Sequence, residues 1–171
     1  MVNLKETYKF ANIDWIILDK KDNQLLLLSK YVLEIREYND KEQIVKWENC
    51  TLRKYLNDEF YNNFLDRDKK RIIEKRNINE ENPEYKTKGG NDTIDHIFLL
   101  SIQEVRDYFF SNENRIAYSK QGEARWWWLR SPGLYSYFAS YVFTDGIVST
   151  GGINIEVSNG GVRPALWIKL Y

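Results

Sequence analysis

The sequence predicts an α+β fold in which strands come first, helices follow and an antiparallel meander closes the chain. Three observations carry that expectation. Two apolar runs, at 8–18 and 25–28, flank the polar stretch Asp19-Lys20-Lys21-Asp22-Asn23. Leu52, Tyr55, Leu56, Phe60 and Phe64 recur at steps of three and four. From residue 125 onward, short β-like pieces alternate with Gly and Asp-Gly signals. Strands segregated from helices, without regular strand–helix alternation, are the α+β pattern.

Taken in order, the first two apolar runs read as a β-hairpin, because a short polar turn separates two buried stretches. Residues 31–39 continue as a third extended piece. Residues 51–64 have the spacing of an amphipathic helix, with Thr51 or Asn49 as its cap. A second helical segment is expected over 66–75, with Ile72 and Ile73 turned inward. Residues 77–93 hold Pro83 and Gly89-Gly90 and read as a loop long enough to be functional. Residues 94–100 read as a short strand. Ser101-Ile102-Gln103-Glu104 then fits a capping box, opening a helix to about residue 110. After the polar loop 111–124 comes Trp126-Trp127-Trp128-Leu129-Arg130-Ser131-Pro132-Gly133, aromatic and ending in a turn signal. The meander would comprise 135–143, the turn Asp145-Gly146, 147–150, Gly151-Gly152, 153–157, Asn159-Gly160-Gly161 and 162–170. Asp-Gly between alternating residues is a strong hairpin signal. No repeat or linker divides the chain, so 1–171 reads as one domain.

Composition narrows the functional classes. The chain has 171 residues, 43% hydrophobic and 15% aromatic. That length supports a core without metals or disulfides, and the aromatic content argues against disorder. The 25 basic and 25 acidic residues balance, and the pI is about 6.6. Electrostatic nucleic-acid binding is therefore disfavoured. Cys50 and His96 are single, which excludes an internal disulfide and a Cys/His zinc cage. Cys50 reads as a small buried hydrophobe and His96 as a polar residue at a strand start. Neither a signal peptide nor an apolar stretch long enough to span a membrane is visible. The expectation is a protein cytoplasmic as synthesised, with no membrane partner.

Motifs for chemistry are scarce. A hydrolytic triad needs a base, usually histidine, and no nucleophile elbow, P-loop or dinucleotide fingerprint appears. Loop carboxylates Asp92, Asp95 and Asp145 leave open an enzyme acting on glycans or cell-wall material. They also leave open calcium, although no recognisable calcium loop is present. Arg125, Arg130 and Arg163 flank the aromatic region, where they either contact a ligand or tie down backbone carbonyls. No cofactor is expected.

Four stretches carry a family resemblance: Trp47-x-x-x-Thr51-Leu52-Arg53-x-Tyr55-Leu56-Asn57; Asp95-x-Ile97-Phe98-Leu99-Leu100-Ser101-x-x-Glu104; Trp127-Trp128-Leu129-Arg130-Ser131-Pro132-Gly133; and Gly160-Gly161-Val162-Arg163-Pro164-Ala165-Leu166-Trp167. Together they resemble a widespread bacterial and phage domain of unknown function, common in Firmicutes. That family in turn resembles a branch of the C-type lectin-like fold, akin to sulfatase-modifying-factor domains. The resemblance implies an N-terminal hairpin paired with the C-terminal strand, two to three helices and a loop-rich binding half. Formylglycine-generating relatives use a cysteine pair and sulfoxide synthases use three histidines. This chain has one of each, so neither activity is expected.

The remaining branch comprises variable proteins of diversity-generating retroelements. There, adenine-directed mutagenesis rewrites codons in a C-terminal window to form a ligand-binding face. Between Gly133 and Gly161 there is no Lys, Gln, Met or Trp, and almost all residues belong to the set such mutagenesis reaches. Ala139, Val142, Asp145, Gly146, Val148, Gly151 and Val157 would be scaffold. The resemblance thus implies a non-enzymatic module that binds a protein or glycan. Its contact residues would be Tyr135, Ser136, Tyr137, Phe138, Ser140, Tyr141, Phe143, Thr144, Ile147, Ser149, Ile153, Asn154, Glu156 and Ser158. Glu156 alone among these falls outside the mutagenesis set. Alternatives are the carboxylate enzyme above, and a structural or particle-borne interaction domain, with association with a phage particle as the further expectation.

Overall fold

The chain doubles back twice within its first thirty residues. A computed structural model describes residues 6–170. Strand β1 (Thr7–Phe10) pairs antiparallel with β2 (Ile13–Lys21). Ala11 and Asn12 between them take φ values of 51° and 60°. Positive φ at both central residues is the twist a two-residue hairpin needs. The stretch 8–18 is therefore two strands and a turn, not the single strand its composition suggests. Strand β3 (Gln24–Ser29) returns along β2. The last strand, β14 (Ala165–Lys169), lies against β3 in unbroken antiparallel register, from Ala165 opposite Leu28 to Lys169 opposite Gln24. The expected pairing of the N-terminal hairpin with the C-terminal strand is present. Side chains alternate between faces along a strand. Leu25, Leu26, Leu27 and Leu28 are nevertheless all buried, so both faces of this sheet are covered at β3.

The helices are shorter than their periodicity suggests. After β4 (Glu34–Ile35), helix α1 spans Thr51–Tyr55 and widens into a π-turn over Leu56–Phe60. Its cap is Cys50, whose Sγ accepts from the Arg53 amide at 3.4 Å. Neither Thr51 nor Asn49 fills that role. Asn39 Oδ1 instead accepts from the Thr51 amide. Helix α2 covers only Asp66–Lys69. The expected helix to residue 75 is absent because Ile72 and Ile73 form β5, which pairs with β14. Those β-branched residues complete the first sheet, ordered β1-β2-β3-β14-β5. Strand β6 (Lys75–Asn77) then pairs with β7 (Thr93–Asp95).

Helix α3 (Ile102–Tyr108) starts on the expected capping box, in which the Ser101 hydroxyl accepts from the Glu104 amide and Glu104 accepts from the Ser101 amide. It ends before residue 110. The segment 111–124 holds a helical turn, α4 (Asn112–Arg115), and β8 (Ala117–Tyr118), which pairs with β9 (Ala124–Arg125). The closing meander supplies β10 (Trp127–Pro132), β11 (Phe138–Val142), β12 (Val148–Asn154) and β13 (Gly161–Val162). With β4 they make a second sheet ordered β12-β11-β10-β13-β4, so β12 is an edge strand. The Asp145-Gly146 hairpin forms as expected, with Gly146 at φ 84°. Gly151-Gly152 is not a turn. It lies inside β12, where a Cβ on Gly152 would meet the Ala139 carbonyl oxygen at 2.4 Å. Among the described residues the architecture is mixed α+β, with mostly antiparallel sheets and four short α-helices.

Candidate functional site

The residues that make the sequence distinctive are mostly locked inside the fold. Trp127 and Trp128 are fully buried. The Trp128 indole donates to the Arg36 carbonyl at 2.9 Å and the Trp127 indole to the Arg115 carbonyl at 3.1 Å. Arg130 donates to the Leu99 carbonyl at 2.8 Å and to Asn79 at 3.2 Å, and pairs with Glu104. Arg163 donates to the Ser29 carbonyl and lies over the Trp127 ring. Burial pushes its guanidinium down to about 9. Arg130 and Arg163 thus tie backbone together, and Arg125 pairs with Glu123. Burial pushes the Cys50 thiol up to about 12, which keeps it neutral and unreactive. His96 stacks on Tyr61 with ring centroids 4.2 Å apart.

The three carboxylates weighed for catalysis are all engaged, each in a different place. Asp95 is buried and accepts from Arg53 at 2.6 Å, Trp47 at 3.0 Å, Asn77 at 2.8 Å and Thr93 at 2.7 Å. Asp92 pairs with Arg76. Asp145 accepts from the Ile147 amide within its own turn. Among the described residues, no group of three His, Cys, Asp or Glu side chains is arranged to hold a metal ion.

The loop 133–138, between β10 and β11, is built the opposite way. Its backbone is held almost entirely by other backbone groups. The Gly133 amide donates to the Phe138 carbonyl, Leu134 to Gly151, Phe138 to Tyr135, Val45 to Ser136 and Ile155 to Tyr137. Beneath it, the buried Asn82 side chain donates to the Pro132 and Thr150 carbonyls, both at 2.8 Å, and accepts from the Glu84 and Tyr85 amides. Of its side chains, Leu134 and Tyr135 are exposed, Ser136, Tyr137 and Phe138 are half-buried, and Tyr137 also packs against the core. Tyr135 is 48% exposed. Its ring stacks on Tyr137 at 5.4 Å with an 8° interplanar angle, and both rings meet Phe138 edge-on.

The expected contact residues do not form one face. Tyr135, Ser136, Tyr137 and Phe138 gather at one end of β11. Phe143, Thr144 and Ile147 are exposed at its other end, around the Asp145-Gly146 turn. Five residues of strand separate the two groups by about 17 Å. Ser149, Ile153 and Asn154 are half-buried along edge strand β12, while Glu156 and Ser158 are exposed beyond it. Ser140 belongs to neither group. It is fully buried, and its hydroxyl donates to the Pro132 carbonyl at 2.8 Å. Tyr141 is 9% exposed and packs edge-on against Trp126 and Phe143. Its pairing with Trp128 across β10 turns it toward the core.

Two residues outside the window complete the first group. Ile44 precedes Val45, whose amide is bonded to Ser136, and it is 73% exposed. Tyr85 lies beside Gly151, whose carbonyl holds Leu134. The exposed Ile44 and Tyr85 thus sit on segments that adjoin the loop carrying the exposed Leu134 and Tyr135. No local pattern announces this, because 44 and 85 sit in polar stretches and meet the loop only through the fold.

No curated protein and no solved structure matches the chain. A family model described as a domain of unknown function, DUF6273, matches residues 22–170, from the end of β2 to the last described residue. That span contains the loop's backbone partners Val45, Gly151 and Ile155 and every residue of the exposed group, and the chain belongs to the DUF6273 family.

Proposed function

We propose that the protein is a non-enzymatic ligand-binding module of C-type lectin-like architecture, with its contact surface centred on the loop 133–138. One observation carries this reading: the loop backbone is fixed largely by main-chain bonds while Leu134 and Tyr135 remain exposed and Tyr137 and Phe138 are half-buried beside them. Side chains held that way can change without unfolding the scaffold. Tyrosine suits such a surface because it offers a large amphipathic area at low entropy cost. The ligand is a protein or a glycan, and the same freedom would suit a target of a diversity-generating retroelement. The carboxylate enzyme is the weaker reading, since Asp92, Asp95 and Asp145 are already engaged in the fold.

Three experiments test the proposal. Binding to glycan arrays and to bacterial surfaces is compared between the parent and the double variant I44A/Y135A. Loss of binding at unchanged melting temperature supports the site, and equal binding removes it. Sequencing codons 134–159 in a growing source population tests diversification. Variation at Leu134, Tyr135 and Tyr137 that spares Asp145 and Gly146 is expected, and a uniform sequence rejects diversification. Light scattering on the eluting protein should give a monomer. A dimer that I44A/Y135A dissolves would make the patch an oligomer interface instead.

A further inference from the structure

A second site lies elsewhere, where the β1–β2 turn faces the helical segment. A cavity of about 380 Å³ opens there, within the size range of small-molecule sites. Phe60 and Phe64 line it and meet edge-on at 5.6 Å. Asn12, Asn63, Glu34 and Asp68 supply its polar lining, and no lysine or arginine is among the lining residues. Glu34 accepts from the Tyr55 hydroxyl and, at 2.9 Å, from Arg36 Nε. Each carboxylate oxygen retains acceptor capacity beyond those bonds. Asp68 has no ion-pair or side-chain hydrogen-bond partner among the described residues.

Two backbone features meet at the same walls. Ala11 takes φ 51° in the turn, a left-handed conformation that non-glycine residues rarely adopt. The π-turn ends on Phe60, and such turns recur at functional sites.

The chemistry of the lining selects the ligand. Its charged groups are both acceptors, so the ligand must donate. Its aromatic walls take an apolar body and also attract a cation to the ring face. We propose that this cavity binds a small organic ammonium ion, with its apolar part against Phe60 and Phe64 and its charged head between Asp68 and Glu34. The site is independent of the loop 133–138 and does not require that surface to bind anything.

Phenethylammonium is the probe, followed by shifts of the amide resonances of Asn12, Asn63 and Leu65 in ¹⁵N-labelled protein. A ligand of this size should give a dissociation constant on the order of 1 mM. Saturable shifts confined to these amides are expected, with 2-phenylethanol at least about tenfold weaker and phenylacetate without effect, as loss of a charged contact implies. Asp68→Asn should weaken binding about fivefold or more. Leu65 is 54% exposed, so Leu65→Lys should fold normally and place a competing ammonium at the rim, abolishing binding. An unchanged spectrum elsewhere verifies that both variants fold. No saturable shift, equal affinity for 2-phenylethanol, or parental binding by Leu65→Lys would each overturn the proposal. Tighter binding of N-acetyl-lysine amide than of phenethylammonium would overturn the assignment to a free amine.

Discussion

The stretches 126–132 and 133–138 adjoin in sequence and are equally aromatic, yet they stand in opposite relations to the fold. In the first, side chains hold the backbone: the Trp127 and Trp128 indoles and the Arg130 guanidinium donate to main-chain carbonyls far away in sequence. In the second, backbone holds backbone, and the side chains of Leu134 and Tyr135 are left exposed. A run of aromatic residues therefore says little about binding until the hydrogen-bond donors of the rings and of the main chain are traced. Fixed side chains make a scaffold, and a fixed main chain with free side chains makes a surface.

The sharpest way to break this contrast is on the fixed side. Asp95→Ala would leave Arg53, Trp47 and Asn77 without their buried acceptor. Breaking a buried pair of this kind costs about 3–5 kcal/mol, so thermal unfolding should shift down by roughly 10 °C. Cys50 gives a covalent readout of the same rigidity. With its thiol held near 12 by burial, reaction with a disulfide reagent at pH 8 should be on the order of a thousandfold slower than in denaturant. A native rate close to the denatured one would mean that the Cys50 cap opens freely. Asn82→Ala sits at the boundary between the two regions. It takes one donor from each of the Pro132 and Thr150 carbonyls and the acceptor from the Glu84 and Tyr85 amides, should cost about 3 kcal/mol in denaturant unfolding, and should loosen Tyr85 beside the loop. Tyr135→Ser, on the free side, should change stability by less than about 0.5 kcal/mol.

Much of the scaffold was legible in the sequence. Ser101 and Glu104 form the capping box their spacing implies, Asp145-Gly146 makes its hairpin, and the leucines of β3 pair with the C-terminal strand. What the sequence concealed was decided by contacts between distant segments. Ile72 and Ile73 are compatible with a helix locally and become a strand because β14 offers an open edge. Ala11-Asn12 lacks the glycine that usually marks a two-residue turn, and Gly151-Gly152 carries a turn signature inside a strand. The candidate site was half legible. Tyr135, Tyr137 and Phe138 cluster, but Ser140 and Tyr141, which alternation sends to opposite faces of β11, are both buried because both faces of that strand are covered over 139–142. Ile44 and Tyr85 reach the patch only through the folding of their loops.

Thermal melting of two variants tests the central contrast most directly: the triple variant I44S/L134S/Y135S, and Tyr141→Ser alone. The triple variant removes three exposed apolar side chains and should melt within about 2 °C of the parent. Tyr141→Ser removes one ring packed against Trp126 and Phe143 and should lower melting by at least about 5 °C. A triple variant that melts as low as Tyr141→Ser, or lower, would show that the loop's side chains hold the fold together, and would contradict the account.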